Sequence, residues 1–517
     1  MQKTGRSTRV LRTFGVGALA CSLLLGFGTA ASHADEVPVD DTTTATPTTP
    51  APSDTATTGE EDGTLPQGEV KTAAAGFSNP YGAAKPVTLE TNFSRPYKAI
   101  SSSANSDFSL LNDLERLIRG SYRKPTGALR SDRGSQAVYL SISRMENSHR
   151  VGRELIRAAQ NGVEVYVIHG KASQSKESRY LQRKLGALPH GHFKICSKGK
   201  SLACLSSLNG AIMHTKILLI TSTYTRDDKP ASAAIWSGSA NLGGPSGERT
   251  YNNGLTVYND YKLWKETRQM WSDMWNERNV NSNYTAYIKA HNSRYGITES
   301  QRERYGYTRA DPVYGMFYSN LANVTIYPTP IRATPTNGKD PVLMLLKRVI
   351  PDDQCRIRLQ ENRFKYRRIA VAQRLVELAE GGCKISGVYF EDDLKVNRTT
   401  HCQMYIRVCR PILDVFKTSS RTIEAAWAKP HDKTILVEAK LRPNFYNPEE
   451  RLPNGTVWPK DGARATVVQA GSAALTGSNL VASDEITTET TDPAVYDAYL
   501  EHWKAILQSH EYRNFPY

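Results

Sequence analysis

Apolar and polar positions follow one pattern twice along this chain. Residues 153–168, RELIRAAQNGVEVYVI, carry apolar side chains at helical spacing, then Gly162, then Val163, Val165 and Val167 in alternation. The spacing predicts an amphipathic helix, a glycine that ends it in a left-handed conformation, and a buried strand. The pattern returns 220 positions later in residues 373–388, QRLVELAEGGCKISGV. Leu155 then pairs with Leu375, Ala159 with Ala379, Gly162 with Gly382, and Val165 with Ile385. By itself this unit implies only an α/β chain.

A second repeated pair is more specific. Residues 213–221, MHTKILLIT, and 430–438, PHDKTILVE, each place His and Lys two apart at the head of an apolar, β-branched run. Alternate side chains of a strand share a face, so His214 and Lys216 point the same way, as do His431 and Lys433. Each run is followed by a further apolar strand ending in Gly-Ser, AIWSGSANL at 234–242 and VVQAGSAAL at 467–475. The order helix, strand, His-x-Lys strand, apolar strand, Gly-Ser therefore occurs in both halves. Another His-x-Lys, His192-Phe193-Lys194, lacks the following apolar strand and Gly-Ser and reads as a surface or loop feature.

Length and charge add a partner class. The 517 residues suffice for two core-bearing domains, and 39% hydrophobic residues exclude a wholly disordered chain. The net charge of +15 is unevenly spread: residues 1–34 contribute +4 and residues 35–75 contribute −8, which leaves +19 on residues 76–517. A portion this basic suits an anionic partner, whether a phospholipid surface, nucleic acid or a phosphorylated small molecule.

The N-terminus bears on compartment. Lys3, Arg6, Arg9 and Arg12 precede an apolar run from Phe14 to Phe27, then small residues, with Ser32-His33-Ala34 as a cleavage site. This is the order of a secretory signal peptide, and the apolar run is short of the roughly 20 residues that span a bilayer. A lipoprotein reading through Cys21 is weaker, because that residue lies inside the apolar run. Residues 35–79 then form a spacer, rich in Thr, Pro and acids and with almost no large apolar side chain over 35–75, and structured sequence starts near Pro80. The expected organisation is a signal peptide (1–34), a spacer (35–79), one lobe over 80–300 and a second over 301–517, in a secreted, extracellular protein.

Beyond the signal lie six cysteines, Cys196, Cys204, Cys355, Cys383, Cys402 and Cys409. An even number in an exported chain points to disulfides, and short spacing favours Cys196–Cys204 and Cys402–Cys409, leaving Cys355–Cys383 among the 15 pairings that six cysteines allow. Zinc is disfavoured: no Cys-x-x-Cys spacing occurs, and only His401 lies beside a cysteine.

The paired motifs resemble those of the phospholipase D superfamily. The first copy matches the family pattern at His214, Lys216, Gly238, Ser239 and Asn241, the second at His431, Lys433, Gly471 and Ser472, and Ser483-Asp484-Glu485 resembles the family's Asn-x-Glu tail. The resemblance covers most of residues 80–510. Departures are Thr221 and Glu438 at the family's Asp position, Ala474 at the second Asn, and Asn253 where the first copy's Glu would be. The resemblance implies an α/β fold of two similar lobes, each a mixed sheet flanked by helices, related by a pseudo-twofold axis with one site between them. It further implies phosphodiester hydrolysis without metal or cofactor through a phosphohistidine, with transfer to an alcohol as a variant outcome.

The chemistry explains why the residues occur twice. Cleaving a phosphodiester requires a nucleophile, an acid for the leaving oxygen, and fixed positive donors for the non-bridging oxygens. Two imidazoles fill the first two roles, and neither half alone supplies both. By family precedent His214 is the nucleophile and His431 the acid/base, with Lys216 and Lys433 as charges and Ser239, Asn241 and Ser472 as hydrogen-bond donors. Glu485 and Asn253 are expected to hold the second nitrogens of the two rings. Export and analogy favour phospholipid head groups as substrate, with nucleic acid as the alternative and a catalytically impaired phosphate-surface binder as a third reading. Outside the motifs, residues 261–275 predict a core-facing helix with Leu263, Met270, Trp271 and Met274 on one stripe, and ENRFKYRR at 361–368 reads as a solvated helix start.

Overall fold

A computed structural model of the chain describes residues 85–96, 106–196, 201–208, 210–278, 316–319, 321–331, 340–390, 408–442, 462–509 and 513–514. The expected signal peptide, the spacer, His401 and Cys402 lie outside them.

Strands β1 (Thr88–Ser94), β2 (Ala137–Ile142), β3 (Glu164–His169), β4 (Gly191–Ile195), β5 (Ile217–Tyr224), β6 (Pro230–Gly238) and β7 (Asn252–Tyr258) form one mixed sheet in the order β1-β7-β6-β5-β2-β3-β4. Pairs β2–β3 and β3–β4 are parallel, and the others are antiparallel. The second sheet contains β8 (Phe317–Tyr318), β9 (Val324–Pro328), β10 (Val349–Ile350), β11 (Arg356–Glu361), β12 (Lys384–Phe390), β13 (Ile423–Ala428), β14 (Lys433–Leu441), β15 (Ala463–Gly471), β16 (Ile486–Thr490) and β17 (Arg513–Asn514). Its order, β8-β9-β16-β15-β14-β11-β12-β13-β17 with β10 paired to β14, contains the first sheet's order with β9 in place of β1. The fold is thus α/β with two mixed sheets of matching topology.

Helices cover the sheets. In the first half these are α1 (Ser109–Arg119), α2 (Arg150–Gln160), α3 (Lys176–Gly186), the single turn α4 (Pro245–Glu248) and α5 (Tyr261–Trp275). The second half has α6 (Pro341–Arg348), α7 (Ile369–Glu380), α8 (Arg410–Phe416), the short α9 (Gly477–Val481) and α10 (Pro493–Leu507). Helices α2 and α7 are the two copies of the repeated amphipathic segment. Each places a leucine, Leu155 or Leu375, in a separate fully buried core. Each is followed within two residues by a positive-φ glycine, Gly162 at 87° and Gly382 at 116°, which turns the chain back into the parallel strand. On α5 the stripe Leu263, Met270, Trp271 and Met274 is buried against the first sheet.

Two disulfides join Cys196 to Cys204 and Cys355 to Cys383. Cys409 is also disulfide-bonded. The segment 361–368 departs from expectation: Arg363, Lys365 and Arg368 are buried, not solvated. Backbone bonds from Asn362 N–H to the Asp432 carbonyl (3.2 Å) and from Lys365 N–H to the Leu475 carbonyl (2.8 Å) hold the segment across the second lobe. Arg368 pairs with Asp340 at 2.7 Å. His192 and Lys194 lie on edge strand β4, bound to Glu164 at 3.0 Å and Glu277 at 3.3 Å.

Candidate active site

The Gly-Ser pairs end β6 and β15, and their geometry explains both residue types. A Cβ on Gly238 would lie 2.4 Å from the Asn253 carbonyl oxygen, and one on Gly471 would lie 2.1 Å from that of Ile486, so only glycine lets the neighbouring strand pass. The serine hydroxyls bridge the same strands: Ser239 Oγ accepts from Asn253 N–H and Ser472 Oγ accepts from Ile486 N–H, both at 3.0 Å. Strand pairing therefore engages these two hydroxyls.

The segments that follow each Gly-Ser cross to the other lobe. His214 N–H donates to the Asp484 carbonyl (3.0 Å), and His431 N–H donates to the Tyr251 carbonyl (2.8 Å). In return Asp484 N–H donates to Ile212 (3.0 Å) and Tyr251 N–H to Lys429 (3.1 Å). Equivalent residues make equivalent bonds in both directions, as a pseudo-twofold relation requires. Each His-x-Lys strand is seated by a segment of the opposite half.

That exchange brings a polar side chain to each imidazole. His214 Nδ1 donates to Glu485 Oε1 at 2.7 Å, with both residues buried. His431 Nδ1 donates to Asn252 Oδ1 at 3.0 Å. Asn252 Nδ2 is committed to the carbonyls of Ser246 (3.0 Å) and Thr250 (2.9 Å) and to Thr250 Oγ1 (2.9 Å). Its oxygen must therefore face His431, along with Ser239 Oγ at 3.2 Å. In both rings Nδ1 carries the hydrogen, so the neutral imidazole presents the lone pair of Nε2.

The expectation for Asn253 is corrected: Asn252 holds His431. Neighbouring strand residues face opposite ways, and Asn253 turns its amide to Asp432 Oδ1 (2.7 Å) and Thr434 Oγ1 (3.0 Å). A count supplies the missed signal, because Glu485 lies 13 residues after Ser472 and Asn252 lies 13 after Ser239.

Lys216 and Lys433 are buried, and each Nζ donates to the carbonyl of the histidine two residues before it, at 2.7 Å and 2.6 Å. Lys433 Nζ also lies 3.4 Å from each ring nitrogen of His431. Asn241 sits in the loop after Ser239, its Oδ1 buried without a hydrogen-bond partner among the described residues. No described contact links it to either imidazole. Two departures from the family pattern acquire local explanations. Thr221 Oγ1 accepts from Ala137 N–H (2.9 Å) and donates to Gln136 Oε1 (2.8 Å), a contact between β5 and the start of β2. Glu438 stands on β14 opposite Arg356 of β11.

Residues that sequence reasoning missed support the first imidazole. Asn479 Nδ2 donates to the same Glu485 oxygen as His214, and Thr476 Oγ1 donates to Asn479 Oδ1. Asp484 is fully buried and accepts the N–H groups of Cys204 (2.5 Å) and Leu205 (3.1 Å). Across the second lobe, Asp432 accepts from His502 Nε2 at 3.0 Å, and His502 Nδ1 accepts from Arg95 Nε at 3.2 Å. Glu361, paired in register with Lys433, is buried, and its carboxyl is pushed well above the usual range by desolvation against the opposing pull of Lys433 and Arg368.

Two imidazoles are thus held by reciprocal partners across two copies of one α/β unit, the arrangement that the paired motifs predict. The family described as cardiolipin synthase, PLD-like domain, matches residues 132–275. That stretch is a phospholipase D-like domain. No curated protein sequence matches the chain. Among solved structures, polyphosphate kinase from Porphyromonas gingivalis is similar with a TM-score of 0.41 and 10% identity, over 82% of this chain and 50% of that one. The chain thus corresponds to half the length of that kinase. Phosphatidylserine synthase from Haemophilus influenzae Rd KW20 gives a TM-score of 0.46 and 10% identity over 82% and 87% of the two chains. Nuc from Salmonella typhimurium, a phospholipase D family member, gives 0.24 and 14% identity over 37% and 95%.

Proposed function

We propose that this chain is an exported phosphodiesterase that hydrolyses phospholipid head groups through a phosphohistidine, with transfer to an alcohol when one replaces water. The observation that carries this reading is the fixed tautomer of both imidazoles, each donating from Nδ1 to the opposite half.

In the first step Nε2 of His214 bonds to phosphorus as the bond to the leaving oxygen breaks, and that oxygen takes the proton from Nε2 of a protonated His431. Positive charge appears on the His214 ring, where the Glu485 carboxylate stabilises it. In the second step water attacks phosphorus, gives its proton to His431 Nε2, and the phosphorus–nitrogen bond breaks. Lys216 and Lys433 supply fixed positive charge to the phosphoryl oxygens. Asn241 is the side chain with unused hydrogen-bonding capacity beside Ser239.

Lipid is favoured over nucleic acid because the matched domain is named for cardiolipin synthase, a lipid-making activity. Export is supported by the charge order of the N-terminus and by the disulfides. The test is incubation of pure protein with phosphatidylcholine vesicles and separately with DNA, each with chelator, followed by acid-free mass spectrometry for a phosphohistidine. Choline release abolished by His214→Ala and by His431→Ala, with the adduct on His214, is expected. DNA nicking without lipid turnover replaces the substrate class. Absence of both activities and of the adduct leaves a phosphate-surface binder.

A further inference from the structure

Beside the first imidazole the second lobe places a buried carboxylate for which the phosphohistidine mechanism has no use. Asp484 lies one residue before Glu485, is fully buried, and directs both oxygens away from the imidazole, onto Cys204 N–H (2.5 Å) and Leu205 N–H (3.1 Å). Those two amides belong to the segment 201–205, which the Cys196–Cys204 disulfide ties to the end of β4. The segment also pairs with the strand that leads into His214: Leu202 N–H donates to Ala211 (2.9 Å), and Met213 N–H donates to Leu202 (3.0 Å). Asp484 closes the ring through its own backbone, bonding Ile212 and His214 on that strand.

We propose that Asp484 is a positioning residue through which the disulfide-tied 201–205 segment holds Glu485 against Nδ1 of His214. This rests on the proposed role of His214. The second imidazole shows what is particular here: Tyr251 of the first lobe occupies the equivalent place before Asn252 and makes the same two backbone bonds, but it has no carboxylate. The His214–Glu485 contact joins residues 271 apart, and outside Asp484 the Glu485 side chain is steadied only by Asn479 among the described residues. A one-ångström drift of a hydrogen-bonded pair is enough to remove most of its energy.

The arrangement is costly enough to need a reason. Burial pushes the Asp484 carboxyl up to about 7, against the pull of the two amides and with the push of neighbouring Glu485. The titratable groups around it among the described residues are Glu485, His214 and, through the His214 carbonyl, Lys216. An asparagine at this position would present an amide N–H to one backbone N–H and could satisfy only one of them.

The test compares the full-length wild type with Asp484→Asn, Cys196→Ser/Cys204→Ser and, as a control disulfide, Cys355→Ser/Cys383→Ser. Two readouts are taken: kcat and KM on bis(4-nitrophenyl) phosphate, and the nitrogen-15 NMR signal of the His214 Nδ1–H, assigned by its loss in His214→Ala. We expect Asp484→Asn and the Cys196/Cys204 variant each to lower kcat tenfold or more with KM within twofold, and to shift or broaden the Nδ1–H signal. The control should change neither. An unchanged Nδ1–H signal in folded Asp484→Asn overturns the proposal whatever the activity. If the wild type shows the signal and the variants lose it while no protein turns over phosphodiester, the positioning stands and the functional reading falls.

Discussion

Replacing Glu485 with glutamine separates the charge of the His214 partner from its geometry. Glu485 Oε1 accepts from both His214 Nδ1 (2.7 Å) and Asn479 Nδ2, whereas Oε2 is buried with no hydrogen-bond partner among the described residues. A glutamine therefore turns its carbonyl oxygen toward the two donors and leaves its amide where Oε2 stood. The tautomer of His214 survives, and what is lost is the negative charge beside the ring as it becomes cationic. A hydrogen bond to a charged group is worth roughly 1.5–3 kcal/mol against about 1 for a neutral one, so the change costs about 1–2 kcal/mol in the step that bonds His214 to phosphorus. That corresponds to a loss of about 5- to 30-fold in kcat. The assay is single-turnover formation of the phosphohistidine on phosphatidylcholine vesicles, with Glu485→Ala alongside. Alanine also orphans Nδ1 and should lose at least tenfold more. Equal losses for Gln and Ala, or a Gln variant within twofold of wild type, would refute the argument that charge and orientation are separable at this residue.

Two further outcomes follow from buried groups. Asp484 titrates near 7 in the folded chain against 3.8 as the ordinary value, so between these pH values the folded state binds more protons than the unfolded. Stability then falls as pH rises through that window and levels off above it, by about 4 kcal/mol at most. Denaturant midpoints of wild type and Asp484→Asn should converge as pH rises from 4 to 8, and parallel curves would contradict this. Removing the Cys355–Cys383 bridge, which spans 28 residues, should cost about 3–4 kcal/mol of stability by loop entropy, read from urea titration, without moving kcat.

Period-two alternation made half of the site legible. His214 with Lys216, and His431 with Lys433, share faces for the same reason in both halves, and the Gly-Ser pairs mark where one strand must pass close over the next. The same alternation explains the miss at Asn253, since a slip of one position turns an imidazole partner into a residue facing Asp432. Contacts between residues 179, 271 and 280 positions apart carry no local signal, so neither the reciprocal exchange of partners nor the Asp484 contact to the Cys204 segment was visible in the chain. The burial of Arg363, Lys365 and Arg368 escaped for a related reason: a charge run reads as solvated until the segments that cover it are known.

The two imidazoles are not equivalent, and the structure explains why the amide at Asn252 cannot simply be exchanged for a carboxylate. Three acceptors, the Ser246 carbonyl, the Thr250 carbonyl and Thr250 Oγ1, surround Nδ2 at 2.9–3.0 Å. An aspartate there would set a carboxylate oxygen against two buried carbonyls and leave each without its donor, at roughly 1–3 kcal/mol apiece. Asn252→Asp restores the kind of partner that Glu485 gives His214, yet it should lower the thermal midpoint and reduce kcat tenfold or more, because the side chain must rotate away from His431 to escape the repulsion. The surroundings thus select a neutral partner for His431, to which the proposed mechanism gives the proton-donor role, while His214, its proposed nucleophile, keeps the carboxylate. An Asn252→Asp protein as stable and as active as wild type would show that the difference between the halves is incidental to the division of roles.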